Sequence, residues 1–168
     1  MSLNIESSLF ESTLRLAKFL QQKCQTLNFK ITLAESCTGG LASAILTDIE
    51  GCSAVFEQGF ITYGNAAKTD MLNVQPSSLS KYGAVSEEVA IEMLSGALNK
   101  ANADLGIAIT GIAGPGGAVP NKPIGTVCFA WGNKNGMQST TELFEGDRVN
   151  VRQAAVNFAF QKLIEVAK

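Results

Sequence analysis

The chain has 168 residues, of which 46% are hydrophobic and 17% charged, with a formal net charge of −2 and no histidine. These values predict one folded domain over residues 1–168 with a substantial core, and they argue against intrinsic disorder. The cations form no basic stripe, no apolar run reaches the ~20 residues of a membrane span, and the N-terminus lacks a signal-peptide pattern, so we expect a cytoplasmic protein without nucleic-acid or membrane partners.

The first half of the chain alternates predicted helices with predicted strands. Apolar residues at helical spacing predict an amphipathic helix over 6–27, and a short apolar run predicts a buried strand over 29–34. Helices are also predicted over 39–46 and 65–72. Residues 53–63, between those two helices, are predicted to form a long strand with Gly59 at a bulge.

The second half ends in a hairpin and a helix. In chain order it is predicted to contain a connector (80–84), a helix (86–101), a central strand (105–110), a glycine- and proline-rich loop (111–123), a hairpin of two strands (125–131 and 137–144), and a helix capped by Asp147 that runs to about residue 166. Helices between strands plus one hairpin predict an α/β fold, a three-layer α/β/α domain with a mixed central sheet.

The turn after the first predicted strand carries the strongest chemical signal. Residues 31–41 read I-T-L-A-E-S-C-T-G-G-L, which places Ser36 on a tight turn before a helix. Such a turn aims main-chain N–H groups, here those of Thr38, Gly39 and Gly40, at a bound group. If Ser36 is a nucleophile, the lack of histidine makes a lysine the first candidate for its base. Cys37 is a rival nucleophile, but adjacent side chains on a sharp turn diverge, and we expect Cys37 to pack.

A second turn rich in glycine follows the predicted strand at 105–110. It contains Thr110, Gly111, Gly114 and Gly116. Glycines let the backbone approach a ligand, and ligands gather at the carboxyl ends of strands in α/β sheets, so a phosphate or carboxylate fits at either turn. The loop lacks the Gly-Lys-Ser/Thr of a P-loop, and no clear helix follows it as a dinucleotide site requires.

Three further side chains are candidates for the same sheet end. Tyr63 ends a predicted strand, and Lys68 lies about one turn into the next helix, where its amine can point back toward Ser36. A lysine base needs a pKa lowered toward neutrality by burial or by nearby cations. Arg148, at the start of the last helix, suits a phosphate. Local sequence alone favours an ordinary surface or sheet-edge position for each of the three.

The four cysteines give no metal-binding pattern. They form no C-x-x-C pair, and a chain without histidine lacks the other common zinc ligand. We therefore expect no metal site and no cofactor.

Six segments together resemble one protein family. They are A-E-S-C-T-G-G (34–40), F-E-Q-G-F-I-T-Y-G-N-A-A-K (56–68), G-A-V-S (83–86), T-G-I-A-G-P-G-G (110–117), K-P-I-G-T-V (122–127) and G-D-R-x-x-V-R (146–152). With them the chain resembles the C-terminal domain of the competence/damage-inducible protein A family over nearly its whole length.

The resemblance implies a serine amidohydrolase without a metal. The family hydrolyses the carboxamide of nicotinamide mononucleotide to nicotinate mononucleotide and ammonia, in pyridine-nucleotide recycling. Ser36 matches its nucleophile, Lys68 and Tyr63 match the proton-handling neighbours, and Thr110 and Arg148 match positions associated with the site. Longer members carry a fused molybdopterin-binding-like domain, whose role is not carried over to this chain.

Two other functions stay open at this point. The chain is either an enzyme, a catalytically inactive nucleotide-binding module, or a regulatory partner in a competence or DNA-damage response. The expected partner is a small-molecule nucleotide, and we also expect a homo-oligomer because the apolar content leaves surface for self-association.

Overall fold

A computed structural model describes residues 3–168, with side chains described from Ser8 onward. The described helices are α1 (Leu3–Leu27), α2 (Leu41–Thr47), α3 (Asn65–Leu72), α4 (Pro76–Tyr82), α5 (Glu87–Ala101) and α6 (Arg148–Val166). The described strands are β1 (Ile31–Glu35), β2 (Phe56–Ile61), β3 (Leu105–Gly111), β4 (Thr126–Asn133) and β5 (Gly136–Leu143). None of the described helices is both long and apolar enough to cross a membrane.

The five strands form one mixed sheet in the order β2-β1-β3-β4-β5. The strand β1 pairs in parallel with β2 and β3, whereas β4 is antiparallel to both β3 and β5. Alternate residues of β3 enter two different apolar clusters: Ile107 and Ile109 pack with α1, α2 and α6, and Ala108 packs with α3 and α5. The predicted α/β/α layering with a mixed sheet is confirmed.

Three predictions about local structure differ from the structure. Residues 52–54 form a 3-10 turn, so β2 starts at Phe56 rather than at residue 53. The register irregularity falls at Glu57, because Ile31 pairs with Phe56 and Thr32 with Gln58; the bulge predicted at Gly59 is wrong. The predicted connector at 80–84 is helical as far as Tyr82, the last residue of α4, whose start is marked by a proline in its first turn.

The parallel strands place the site. Because β1, β2 and β3 run in the same direction, their carboxyl ends lie at one edge of the sheet. Those ends are Glu35, Ile61 and Gly111. The segments that leave this edge carry the predicted catalytic and glycine-rich residues, and α3, which follows β2, carries Lys68.

The position of α3 depends on a close approach to α5. A Cβ atom added at Gly96, inside α5, would lie 2.0 Å from the carbonyl oxygen of Leu72, the last residue of α3. No side chain larger than hydrogen fits there without moving α3, so Gly96 sets the distance between the two helices.

We expect Gly96→Ala to destabilise the protein, although alanine is normally better than glycine by about 1 kcal/mol inside a helix. Overpacking of this kind costs ~1–3 kcal/mol, and urea unfolding measures the free energy of unfolding directly. Gly136→Ala is the matched control, since a Cβ at Gly136 meets no atom within 4 Å. A Gly96→Ala protein as stable as wild type would contradict the close packing.

Candidate active site

The centre of the site is a contact between a buried lysine and a serine. Ser36 follows β1 directly, and Lys68 lies in the first turn of α3. The Lys68 Nζ atom lies 3.0 Å from Ser36 Oγ and donates to the main-chain oxygens of Thr62 at 2.8 Å and Tyr63 at 3.3 Å. The exposed fraction is 1% for Lys68 and 8% for Ser36. The structure therefore brings the two residues together away from bulk water.

The surroundings of Lys68 favour its neutral form. Burial lowers the pKa of the Lys68 amine below its ordinary value of 10.5, since the ammonium loses its water shell. A neutral amine has two N–H donors and one lone pair. The carbonyls of Thr62 and Tyr63 accept two N–H groups in either form of the amine. The third position, toward Ser36 Oγ at 3.0 Å, is an N–H donor in the ammonium and the lone pair in the neutral amine.

A cavity of about 240 Å³ opens above this pair. The predicted residues that line it are Ser36, Tyr63, Lys68, Thr110, Gly111, Gly114, Gly116 and Arg148. Residues that the sequence analysis did not select also line it: Cys37, Asn65, Ala84, Val85, Ile112, Ala113 and Gly117. Most of this second set are apolar or small and carry no chemical signal, although each lies within or next to a segment that carries the family resemblance.

Thr38, Gly39 and Gly40 are not among the residues that line the cavity. Thr38 is fully buried, and its carbonyl accepts from Arg152 at 2.6 Å. Gly39 and Gly40 have positive φ angles of 57° and 95°, which explains why both are glycine. Their assignment to substrate binding stays a prediction.

Glu35 is the last residue of β1, and its side chain caps the start of α2. The sequence analysis did not select it as a functional residue. Its fully buried carboxylate accepts from the N–H groups of Gly40 and Ala42 at 3.1 Å each, and from the N–H and hydroxyl of Ser43 at 2.8 and 2.7 Å. The helix end is thus satisfied from inside the protein. The signal was present in the sequence as an acid at the end of a buried strand, immediately before Ser36.

Arg148 joins three parts of the cavity mouth. Its guanidinium donates to the Gly114 carbonyl at 2.8 Å and to the Tyr63 hydroxyl at 2.9 Å. Tyr63 is 60% exposed and marks the entrance. Asp147 caps α6 as predicted, because its carboxylate accepts from Val149 and Asn150, and this cap fixes the start of the helix that carries Arg148.

Thr110 holds the opposite wall of the cavity. Its side chain is fully buried, and its hydroxyl donates to the Ala84 carbonyl at 2.8 Å. The hydroxyl proton is therefore engaged with the main chain between α4 and α5.

Cys37 is a poor nucleophile in this setting. It is 5% exposed, and burial raises the pKa of its thiol to about 12, so the thiol stays protonated at neutral pH. Among the described residues, no three His, Cys, Asp or Glu side chains form a group that could hold a metal ion.

Comparison with known proteins gives one consistent result. The family model described as CinA C-terminal domain matches residues 13–167. The "Nicotinamide-nucleotide amidohydrolase PncC" of Escherichia coli K12 is 46% identical over 151 residues, which cover 89% of this chain and 92% of that protein. The protein of the same name from Enterobacter agglomerans is 50% identical over 132 residues, or 78% of this chain and 80% of that protein.

A solved structure agrees with this result. The competence/damage inducible protein CihA of Agrobacterium tumefaciens superposes with a TM-score of 0.90 at 40% identity, covering 94% of this chain and 96% of that one.

We expect Glu35→Gln to lower the turnover rate constant kcat at least tenfold, while the Michaelis constant KM changes little. The new NH₂ group faces the N–H donors of α2, so hydrogen bonds are lost and the turn shifts; a displacement of ~1 Å at a reacting atom is enough to cost about 100-fold. Steady-state kinetics separates the two constants. Glu57→Gln, an exposed acid on neighbouring β2, is the control. A normal rate constant in Glu35→Gln would show that Glu35 does not hold Ser36.

Proposed function

The chain belongs to the CinA C-terminal domain family, and we propose that it hydrolyses the carboxamide of nicotinamide mononucleotide to nicotinate mononucleotide and ammonia. The observation that carries the proposal is the 3.0 Å contact between Lys68 Nζ and Ser36 Oγ at the floor of a cavity. Relatives named nicotinamide-nucleotide amidohydrolase, at 46% and 50% identity, support the choice of substrate.

The first half of the reaction forms an ester on Ser36. Neutral Lys68 takes the hydroxyl proton as the Ser36 oxygen attacks the carboxamide carbon. The tetrahedral oxyanion needs N–H donors. Glu35 takes those of Gly40, Ala42 and Ser43, and Cys37 is the residue after Ser36 that lines the cavity, so we assign this role to the main-chain N–H of Cys37.

The second half releases both products. The Lys68 ammonium returns its proton to the leaving nitrogen, which departs as ammonia and leaves the acyl group on Ser36. Water then attacks the ester carbon, Lys68 accepts the proton of that water, and the carboxylate product leaves as Ser36 regains its hydrogen. One water is consumed for each amide bond broken.

The mouth of the cavity suits a phosphate. Lys68 and Arg148 line the cavity, and its described lining contains no carboxylate. Arg148 and the glycine turn at Gly111, Gly114 and Gly116 would bind the anionic end of the substrate, with Tyr63 handling protons or orienting Arg148 through their hydrogen bond.

Several wider expectations remain proposals. We propose that residues 1–168 work as one domain, in the cytoplasm, without nucleic acid and as a homo-oligomer.

We expect the wild type to release ammonia from nicotinamide mononucleotide. Ser36→Ala should lower kcat at least a thousandfold, since an active site without its nucleophile catalyses only weakly. An ammonia-release assay measures both. Cys37→Ala is the matched neighbour and should keep most of the wild-type rate. A wild type without ammonia release would favour the inactive binding module, and a Ser36→Ala protein with a tenth of the wild-type rate would exclude Ser36 as the nucleophile.

The pH dependence of kcat/KM should report Lys68. Because burial lowers the pKa of Lys68, activity should rise with pH through an ionisation below 10.5, as the ammonium loses its proton and becomes a base. Lys68→Arg should be nearly inactive throughout, since a guanidinium stays charged. Lys100→Arg, at an exposed position in α5, is the control. A wild-type profile in Lys68→Arg would transfer the role of base to Tyr63.

A further inference from the structure

The segment between α4 and α5 forms a wall of the cavity without regular secondary structure. Ala84 and Val85 line the cavity, and the four consecutive carbonyls from Tyr82 to Val85 each accept a hydrogen bond from a side chain. Ser86 donates to Gly83 and Thr110 donates to Ala84, both at 2.8 Å. The outer two carbonyls share a single donor.

That donor is Lys122, which belongs to the loop between β3 and β4 and is not among the residues described as lining the cavity. Its Nζ atom donates to the Tyr82 oxygen at 2.9 Å and to the Val85 oxygen at 2.6 Å. Charge-assisted hydrogen bonds of this kind are stronger than neutral ones. The ammonium therefore holds the segment at both of its ends, at Tyr82 and at Val85.

Lys122 is itself held in the loop between β3 and β4. Its main chain exchanges two hydrogen bonds with Val119, at 3.0 and 3.1 Å. The start of the same loop supplies Ile112 and Ala113 to the cavity, and the Ile112 carbonyl accepts from Gly125 at 2.7 Å. Lys122 thus ties the two apolar sides of the cavity to each other.

The position of a carboxamide at Ser36 indicates which part of the substrate this wall contacts. A carboxamide at Ser36 must carry its attached group into the adjoining part of the cavity, where Ala84, Val85, Ile112 and Ala113 supply apolar side chains. An aromatic ring gains the most binding free energy from such side chains, because it buries its apolar faces against them.

We propose that Lys122 is a positioning residue that holds Ala84 and Val85 against the ring of an aromatic carboxamide, and so sets selectivity for that ring without touching the substrate. This inference rests on the proposed amidohydrolase function.

The experiment compares binding of a ligand with the ring and a ligand without it. In a Ser36→Ala background nicotinamide mononucleotide binds without turnover, and ribose 5-phosphate serves as the ringless probe. Calorimetry on the Ser36→Ala protein with and without Lys122→Met should show that the dissociation constant of the mononucleotide rises about tenfold or more, while that of ribose 5-phosphate changes less than about twofold.

Three variants test the cause of this change. Lys122→Arg keeps a cation able to donate to both carbonyls and should restore most of the affinity. Lys81→Met, which removes an exposed lysine of nearby α4, should change neither ligand. Val85→Ala trims the wall itself with the Lys122 hydrogen bonds intact, and it should weaken the mononucleotide alone, even if Lys122→Met folds poorly.

The remaining outcomes overturn the inference. Equal weakening of both ligands in Lys122→Met and in Val85→Ala would give these residues a general structural role, and unchanged mononucleotide binding would show that the wall is not a ring contact. A wild type that releases no ammonia from the mononucleotide refutes the proposed function instead, so the two failures are distinct.

Discussion

Under the proposed function, the site depends on one constraint: with no histidine in the chain, the amine of Lys68 has to give up its proton beside Ser36. Two terms oppose each other at Lys68. The carbonyls of Thr62 and Tyr63 favour the ammonium, whereas burial disfavours it. Burial prevails, and the pKa falls below 10.5. Below the lowered pKa the fold carries a buried charge at a cost, so Lys68 makes the protein more stable as pH rises through that pKa toward 10.5.

Glu35 occupies the hydrogen-bond donors at the start of α2, so that this helix end does not attract an anion. The start of a helix normally attracts anions, and the short α2 starts five residues after Ser36. Glu35 satisfies that helix end from within the core and so removes it from competition for the substrate. The described residues that line the cavity include no carboxylate, and Arg148 supplies a permanent positive charge there. The Glu35 carboxylate is thus engaged with the start of α2, whereas the cavity above Ser36 is lined by Arg148.

The sequence was enough to place residues that follow the strand ends, whereas the contacts between two loops could not be predicted from it. Ser36 and Lys68 follow parallel strands, so their meeting at one sheet edge follows from the fold class. The pairing of Lys122 with the wall spans 37 to 40 positions in sequence and has no local periodicity to reveal it. The errors in β2 and α4 have local causes: a 3-10 turn continues an apolar run, and the proline that starts α4 follows an unpatterned stretch.

The gradient of exposure across the cavity fixes the orientation of a phosphorylated amide under the proposed function. Lys68 and Ser36 at the floor are 1% and 8% exposed, whereas Tyr63 at the mouth is 60% exposed. A phosphate at the floor would lose its water and would also raise the pKa of Lys68, which would keep the amine protonated. A phosphate at the mouth meets Arg148 while it stays partly hydrated. Under the proposed function, the carboxamide is therefore expected to enter first and the phosphate to remain outermost, where its charge would leave the pKa of Lys68 low enough for a base.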